Sequence, residues 1–213
     1  MHDRAMATNP PAIFIADAVG LDFLNSVATP VDVPVDWISD GRGLVEWLRQ
    51  ARLVPADRLA EIAARATPGE LDRVAGQARD LREWFRAFVR DHLDGRPVGI
   101  GAMKHLAPLN RLLERDEAYG QVVVETDAQG HDRLAFAAER RWRSPESLLI
   151  PIGEEIARVI VAKDFRQIKA CEGQHCSLLF VDRTRARARR WCSMGLCGNR
   201  AKVAAHRVRK RAG

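Results

Sequence analysis

The chain's four cysteines, Cys171, Cys176, Cys192 and Cys197, lie in one short C-terminal stretch of a 213-residue sequence. Their order is C-x4-C, a longer loop, then C-x4-C. Each close pair can form a knuckle that offers two thiolates, and the loop between them can bring the knuckles together around a tetrahedral metal. The chemistry expected is thiolate coordination of one structural Zn2+. All four positions are cysteine, which leaves no vacancy for water or substrate, so the metal should fold the segment and not catalyse. His175 beside Cys176 could replace a thiolate; otherwise it is an exposed knuckle residue.

Arginines surround the cysteines. Eleven of the 34 Lys and Arg fall in residues 183–213, where none of the 28 Asp and Glu is found, so the preceding body carries about −5 and the tail about +11. That division suggests a polyanionic partner for the tail. Arg183, Arg185, Arg187, Arg189 and Arg190 form a run without interleaved aromatics, a pattern for phosphate contacts more than for base stacking, and it favours duplex DNA or structured RNA over single strands. The segment from Gly198 onward reads as a helix. At about 100° per residue, Arg200, Arg207 and Arg211 share one side and Lys202 and Arg209 the other, with Lys210 adding to the basic surface. Only Val203, Val208 and a few alanines can pack, so the helix suits a groove or a phosphate track more than a core. SLLFVD (177–182) reads as a strand paired with residues 168–171, and knuckle, hairpin and helix together suggest a treble-clef-like finger. Asp182, the last acid before the tail, is expected to anchor an arginine or cap a turn.

The rest of the chain must position this module. Its apolar content of 46% is enough for a core. Residues 12–28 are a short apolar segment. Leu44, Trp47, Leu48 and Ala51 mark a helix capped by Ser39 or Asp40, and a second runs over 56–66. Thr67, Pro68 and Glu70 predict a capping box, with Pro68 at the first position of the longest helix, whose stripe runs from Leu71 through Phe85 and Phe88 to about Leu93. A helix with Pro108 in or near its first turn follows. QVVVET (121–126) and DRLAFAA (132–138) flank turn formers and predict a small hairpin packed on the helices. A last helix opens at Ser144 and Pro145. The fold class expected is mainly α with a small β-hairpin: a helical domain over 1–164, then a four-cysteine finger over 165–213 that touches it.

RRWCSMGLCGNR (189–200) closely resembles the CGNR zinc finger family, and the match extends back through KACEGQHCSLLFVDRTR. Proteins of that family usually place the finger behind a helical ABATE domain, described as a "putative stress-induced transcription regulator". GLDFLNSV (20–27) resembles that domain's early LDF-x-N-T pattern, with Ser26 where Thr is usual. The resemblance implies that Cys171, Cys176, Cys192 and Cys197 are the zinc ligands, that Asn199 and Arg200 belong to the signature, and that the protein is a bacterial DNA-binding regulator. Asn199 is expected to cap the helix or brace the knuckle, and Trp191 to wedge the finger's small core.

No membrane-length apolar run and no export signal is visible, which predicts a soluble, cytoplasmic protein without a membrane partner. The body contains no G-x-S-x-G, H-E-x-x-H, phosphate-loop or dinucleotide fingerprint, so no enzyme is expected. Asp22 and Asn25, three apart, are the one polar pair there that could face a ligand pocket; the alternative is a cap or a buried hydrogen-bond network. The leading reading is a zinc-finger transcription regulator that binds DNA, with the helical domain sensing a small-molecule signal or mediating assembly. A homodimer would add specificity. Three rivals stay open: an RNA-binding protein using the same finger, an enzyme or small-molecule-binding protein whose finger only braces the fold, and an adaptor whose basic tail meets an acidic protein.

Overall fold

Within the apolar segment 12–28 lies a short helix, α1 (Val19–Leu24), which is buried from Gly20 to Leu24. The computed structural model describes residues 10–29, 33–93, 98–162 and 164–212. After α1, β1 (Val27–Ala28) pairs antiparallel with β2 (Val35–Asp36). Asp40 then starts α2 (Gly41–Ala51), its Oδ1 accepting the Gly43 N–H at 2.7 Å. That N–H would otherwise lack a partner in the helix's first turn. Next come α3 (Ala56–Arg65) and the long α4 (Glu70–Arg90).

The start of α4 departs from the expected capping box. Glu70 accepts from the Thr67 N–H at 2.8 Å, but the Thr67 hydroxyl also donates to Glu70, at 2.9 Å, and Gly69 at φ +76° precedes the first helical residue. Pro68 therefore stands outside the helix. The expected C-terminal extension to Leu93 also shortens to Arg90.

A 3-10 stretch (Ile100–Leu106) leads into α5 (Ala107–Leu113), with Pro108 in its first turn, where a missing N–H costs nothing. The hairpin is longer than the sequence suggests: β3 (Ala118–Thr126) pairs with β4 (Asp132–Arg140). One face of it stands clear of the helices, since Val122, Val124, Leu134 and Phe136 are each at least 63% exposed, while Arg140 at its base pairs with Glu154 at 2.7 Å. Strand periodicity located the two strands but not the surface they face.

A further 3-10 stretch (Pro145–Leu148) opens α6 (Leu149–Ala162), whose Ile152, Ile156 and Val159 sit in the centre of the core beside α1. Trp47 is buried with Phe23 at 5.6 Å and Phe14 at 5.7 Å between ring centres, and Phe85 is buried as well. These aromatics are core, as their helical spacing suggests. Phe165, after α6, is buried against Phe88, and Ile168 and Phe180 continue the same core into the cysteine segment. The two parts share one apolar interior.

Candidate metal centre and nucleic-acid interface

In the last segment, β5 (Ile168–Ala170) pairs antiparallel with β6 (Leu179–Val181), and the loop between them carries Cys171 and Cys176. A single wide turn (Met194–Gly198) carries Cys197 and runs into α7 (Asn199–Ala212). Knuckle, hairpin and helix therefore occur in the order expected.

The four thiols converge: their sulfurs all lie within 4.8 Å of one another. Cys192 Sγ is 3.6 Å from Cys197 Sγ and 4.0 Å from Cys176 Sγ. Four sulfurs held about 2.3 Å from a tetrahedral zinc lie roughly 3.8 Å apart, so the spacing fits one Zn2+. The hydrogen bond from Cys192 pulls the Cys176 thiol down to about 5, and the same bond, with burial, pushes Cys192 far up. Four thiolates at this distance need a cation among them. The cluster is one structural zinc site, and His175, exposed and at φ +62°, stands outside it.

Backbone and side-chain donors orient the sulfurs. The N–H groups of Cys192 and Gly173 point at Cys171 Sγ, at 3.2 and 3.4 Å. Such donors stabilise thiolate charge and fix the ligand. Gly173 is required by contact: a Cβ there would fall 2.7 Å from Cys197 Sγ. Gly198 is required likewise, because a Cβ would meet Met194 Sδ at 2.5 Å, and Trp191 lies just beyond. A side chain at position 198 would therefore collide with Met194 and touch Trp191.

The two polar members of the signature divide differently from expectation. Ser193 supplies the caps: its Oγ accepts from Leu196 N–H, and its carbonyl accepts from Cys197 and Gly198 N–H. The Asn199 side chain is exposed. Arg200, counted by sequence among the nucleic-acid contacts, donates from Nη2 to Cys197 Sγ at 3.3 Å and from Nε to Leu196 O at 2.6 Å. It braces a zinc ligand.

Arg189 is a second cation turned inward. Its guanidinium bonds Asp17 Oδ2 at 2.5 Å, Ile15 O at 3.1 Å, Trp191 O at 3.1 Å and Cys192 O, and it stacks 4.1 Å over Phe180. One planar fork thus ties the Cys192 knuckle, the β6 core and the N-terminal segment together, a task suited to arginine's fixed donor geometry. Arg183 donates to Asp17 O, and Arg190 pairs with Glu172 at 2.6 Å. Asp182, fully buried, accepts from Lys169 Nζ, the Thr184 N–H and hydroxyl, and Arg189 N–H. Burial alone would raise its pKa, but the Lys169 and Thr184 bonds outweigh that and hold it well below the usual range.

What remains facing outward is Arg185, Arg187, Lys202, Arg207 and Lys210, all exposed. None of the five has an acidic partner among the described residues. The side chains of Arg209 and Arg211 lie outside the described residues. Among the described side chains of α7 beyond its first turn, Val203, Ala204, Arg207 and Lys210 are exposed, Val203 by 49%.

Asp22 and Asn25 are both buried and hydrogen-bonded within the chain, which is the arrangement of a buried polar network. Asp22 Oδ1 accepts the N–H groups of Ile15 and Ala16, each at 2.9 Å. Burial raises its carboxyl to about 6 despite those bonds. Asn25 clamps Leu179 of β6 from both sides, donating to its O at 2.8 Å and accepting from its N–H at 2.9 Å. Val181 N–H completes the seam on Ala16 O at 2.9 Å. Ser26 accepts from buried Arg82, which also holds Asp36 through two bonds at 2.8 and 2.9 Å. The LDFLNS stretch is thus the joint between helical body and finger. Arg82 went unrecognised in sequence because a lone arginine on a helix resembles any solvated charge.

A family model for the CGNR zinc finger matches residues 167–210, and a model for ABATE, described as "Putative stress-induced transcription regulator", matches residues 17–163. No curated protein matches the chain. Among the described residues no helix is long and apolar enough to cross a membrane.

Proposed function

We propose, from the premise that the chain belongs to the ABATE family and ends in a CGNR zinc finger, that it is a transcription regulator whose finger binds duplex DNA. The observation that carries this reading is the sorting of the basic residues. Arg189, Arg190 and Arg200 have protein partners, while Arg185, Arg187, Lys202, Arg207 and Lys210 stand exposed on the same zinc-organised module. Cations without acids nearby, held on a folded scaffold and without stacking aromatics, suit phosphate contacts along a duplex.

The helical body is the candidate sensor. An open cleft of about 760 Å³ lies between α4 and α5, with Leu81, Trp84 and Leu112 in its wall and Gln77, Asp80 and Arg111 among its polar groups. Its size and mixed lining fit a small organic signal. This is a different place from Asp22 and Asn25.

Fluorescence anisotropy with duplex DNA across a salt series tests the reading, using zinc-loaded wild type, Cys192→Ser and Arg185→Ala/Arg187→Ala. Wild type should show a log–log salt slope of about −4, reduced by about 2 in the double variant. Cys192→Ser should lose most affinity although its arginines remain. Equal binding by wild type and Cys192→Ser, or preferential displacement of the DNA by structured RNA, would reject duplex DNA as the finger's partner.

A further inference from the structure

The β3–β4 hairpin is the part of the molecule that the finger and the cleft leave unused, and it breaks the usual surface rules. Val122, Val124, Leu134 and Phe136 alternate onto one face and are 63–78% exposed. Both strands are also edges, because among the described residues the sheet has two strands. Exposed apolar surface next to unpaired backbone groups is a pairing site unless something covers it.

The hydrogen-bond phase tells which backbone groups are free. Asp127 N–H bonds His131 O at 2.9 Å, and Arg141 N–H bonds Glu117 O at 3.2 Å. Odd-numbered residues of β4 therefore bond across to β3, and the N–H and C=O groups of Asp132, Leu134, Phe136, Ala138 and Arg140 point away from it. The strand reads DRLAFAAER over 132–140. Laid antiparallel against a copy of itself with Phe136 facing Phe136, it sets Leu134 against Ala138 and Arg133 against Glu139, each pairing occurring twice; Arg133 also holds Glu125 of β3 at 2.7 Å, but at an exposed site where its guanidinium has further donors for a second acid. Asp132 meets Arg140 in this register, although Arg140 already holds Asp116 and Glu154 and gains little. Moving the centre of symmetry by one residue toward the C-terminus puts Arg133 against Arg141, and moving it the other way leaves Arg133 facing alanine. The β3 edge has no such self-match, since its one charged residue is Glu125.

We propose that two copies of this chain associate through their β4 edges, antiparallel about Phe136, to form a continuous four-stranded sheet. The interface is isologous, as a twofold dimer requires. Its charges select the register, and the free backbone groups supply the bonds. The association goes beyond DNA binding and does not depend on it; its consequence would be two fingers carried by one assembly.

Sedimentation equilibrium of the full chain without nucleic acid, over a concentration series, tests the proposal on wild type, Arg133→Glu and Arg133→Glu/Glu139→Arg. Zinc content and near-UV circular dichroism are read on each, so that a misfolded variant is recognised and replaced by Arg133→Ser. Wild type should dimerise. Arg133→Glu makes both intermolecular pairs repulsive and also loses the Glu125 pair within the hairpin; it should weaken the dimer on the order of tenfold or more, and the double swap, which shares the Glu125 loss but makes the intermolecular pairs attractive again, should restore it. As a check independent of charge, Phe136→Cys should form an intermolecular disulfide on mild oxidation, because directly opposed residues of a bonded pair lie about 5.5 Å apart. Val122→Cys should not. A monomeric wild type, an Arg133→Glu protein as dimeric as wild type, or a double swap that stays monomeric would each overturn the proposal.

Discussion

The helical body and the finger are held together by different physics. In the body, Leu21, Leu44, Trp47, Phe85, Ile152 and Ile156 are each at most 1% exposed, and burial of apolar surface supplies the driving force. In the finger, two three-residue strands and one loosely packed helix offer little to bury. Four thiols, the Arg189 fork and the buried Asp182 do that work instead. The finger leans on the body as well: β6 is seated on Asn25 and Ala16, and Phe180 belongs to the common core. Metal closes the module, and a polar seam attaches it.

The largest expected effect separates the two regions outright. Chelating zinc, or Cys192→Ser, should release residues 168–212, because structural zinc contributes on the order of 10 kcal/mol to such modules. Hydrogen exchange should then show α7 and the β5–β6 pair losing protection while α2, α4 and α6 keep theirs. If α6 lost protection in parallel, the contrast between the regions would be wrong.

Arg189 sharpens it next. Arg189→Ala leaves Asp17 and several backbone carbonyls without their donor and should cost about 2–4 kcal/mol, with Arg189→Lys recovering little because an ammonium cannot span the same oxygens. Urea denaturation measures the loss. The matched change Arg185→Ala should leave stability unaltered and lower only affinity for polyanions. Two arginines four residues apart would thus report on opposite functions.

Asn25→Ala tests the seam. It strands the Leu179 N–H and C=O at a part-buried site and should cost about 2 kcal/mol, read as faster proteolysis between α6 and β6 with zinc still bound. Asn25→Asp keeps the acceptor but sets a second oxygen against the Leu179 carbonyl at a buried position, and should cost at least as much.

A pH dependence separates the regions by condition instead of by residue. The Asp22 carboxyl is raised from 3.8 to about 6 in the folded chain, so between those values the folded state holds a proton that the unfolded state has lost. Stability from this group therefore falls as pH rises from about 4 to 6 and levels off above. Asp22→Asn lacks that slope and should gain on wild type over the same window. Thermal melts of the pair at pH 4.5, 5.5 and 7 would check it, since thiol protonation affects both proteins alike.

Much of this was legible in the residues. Cysteine spacing gave the metal site because coordination geometry is local, and stripes of apolar residues gave α2 to α6 because a 3.6-residue period has one physical cause. The Asp40 cap was readable for the same reason. Less legible were the choice between competing local hydrogen bonds, the surface a strand faces, and anything set by a distant partner. The Thr67 hydroxyl turned to Glu70, one face of the hairpin stood clear of the helices, and LDFLNS proved to be a joint whose partner, Leu179, lies 154 residues from Asn25.

By itself, then, the sequence determined the elements, the ligands and the charge of the tail, since each depends on residue type at short spacing. Only the tertiary structure decided what each charge is for. In RTRARARR every second residue is an arginine, yet Arg189 is folded inward against Phe180 while Arg185 and Arg187 face water. A guanidinium goes where its five donors find oxygens, and those oxygens, at Asp17, Ile15 and Cys192, are assembled only when the chain's two ends meet.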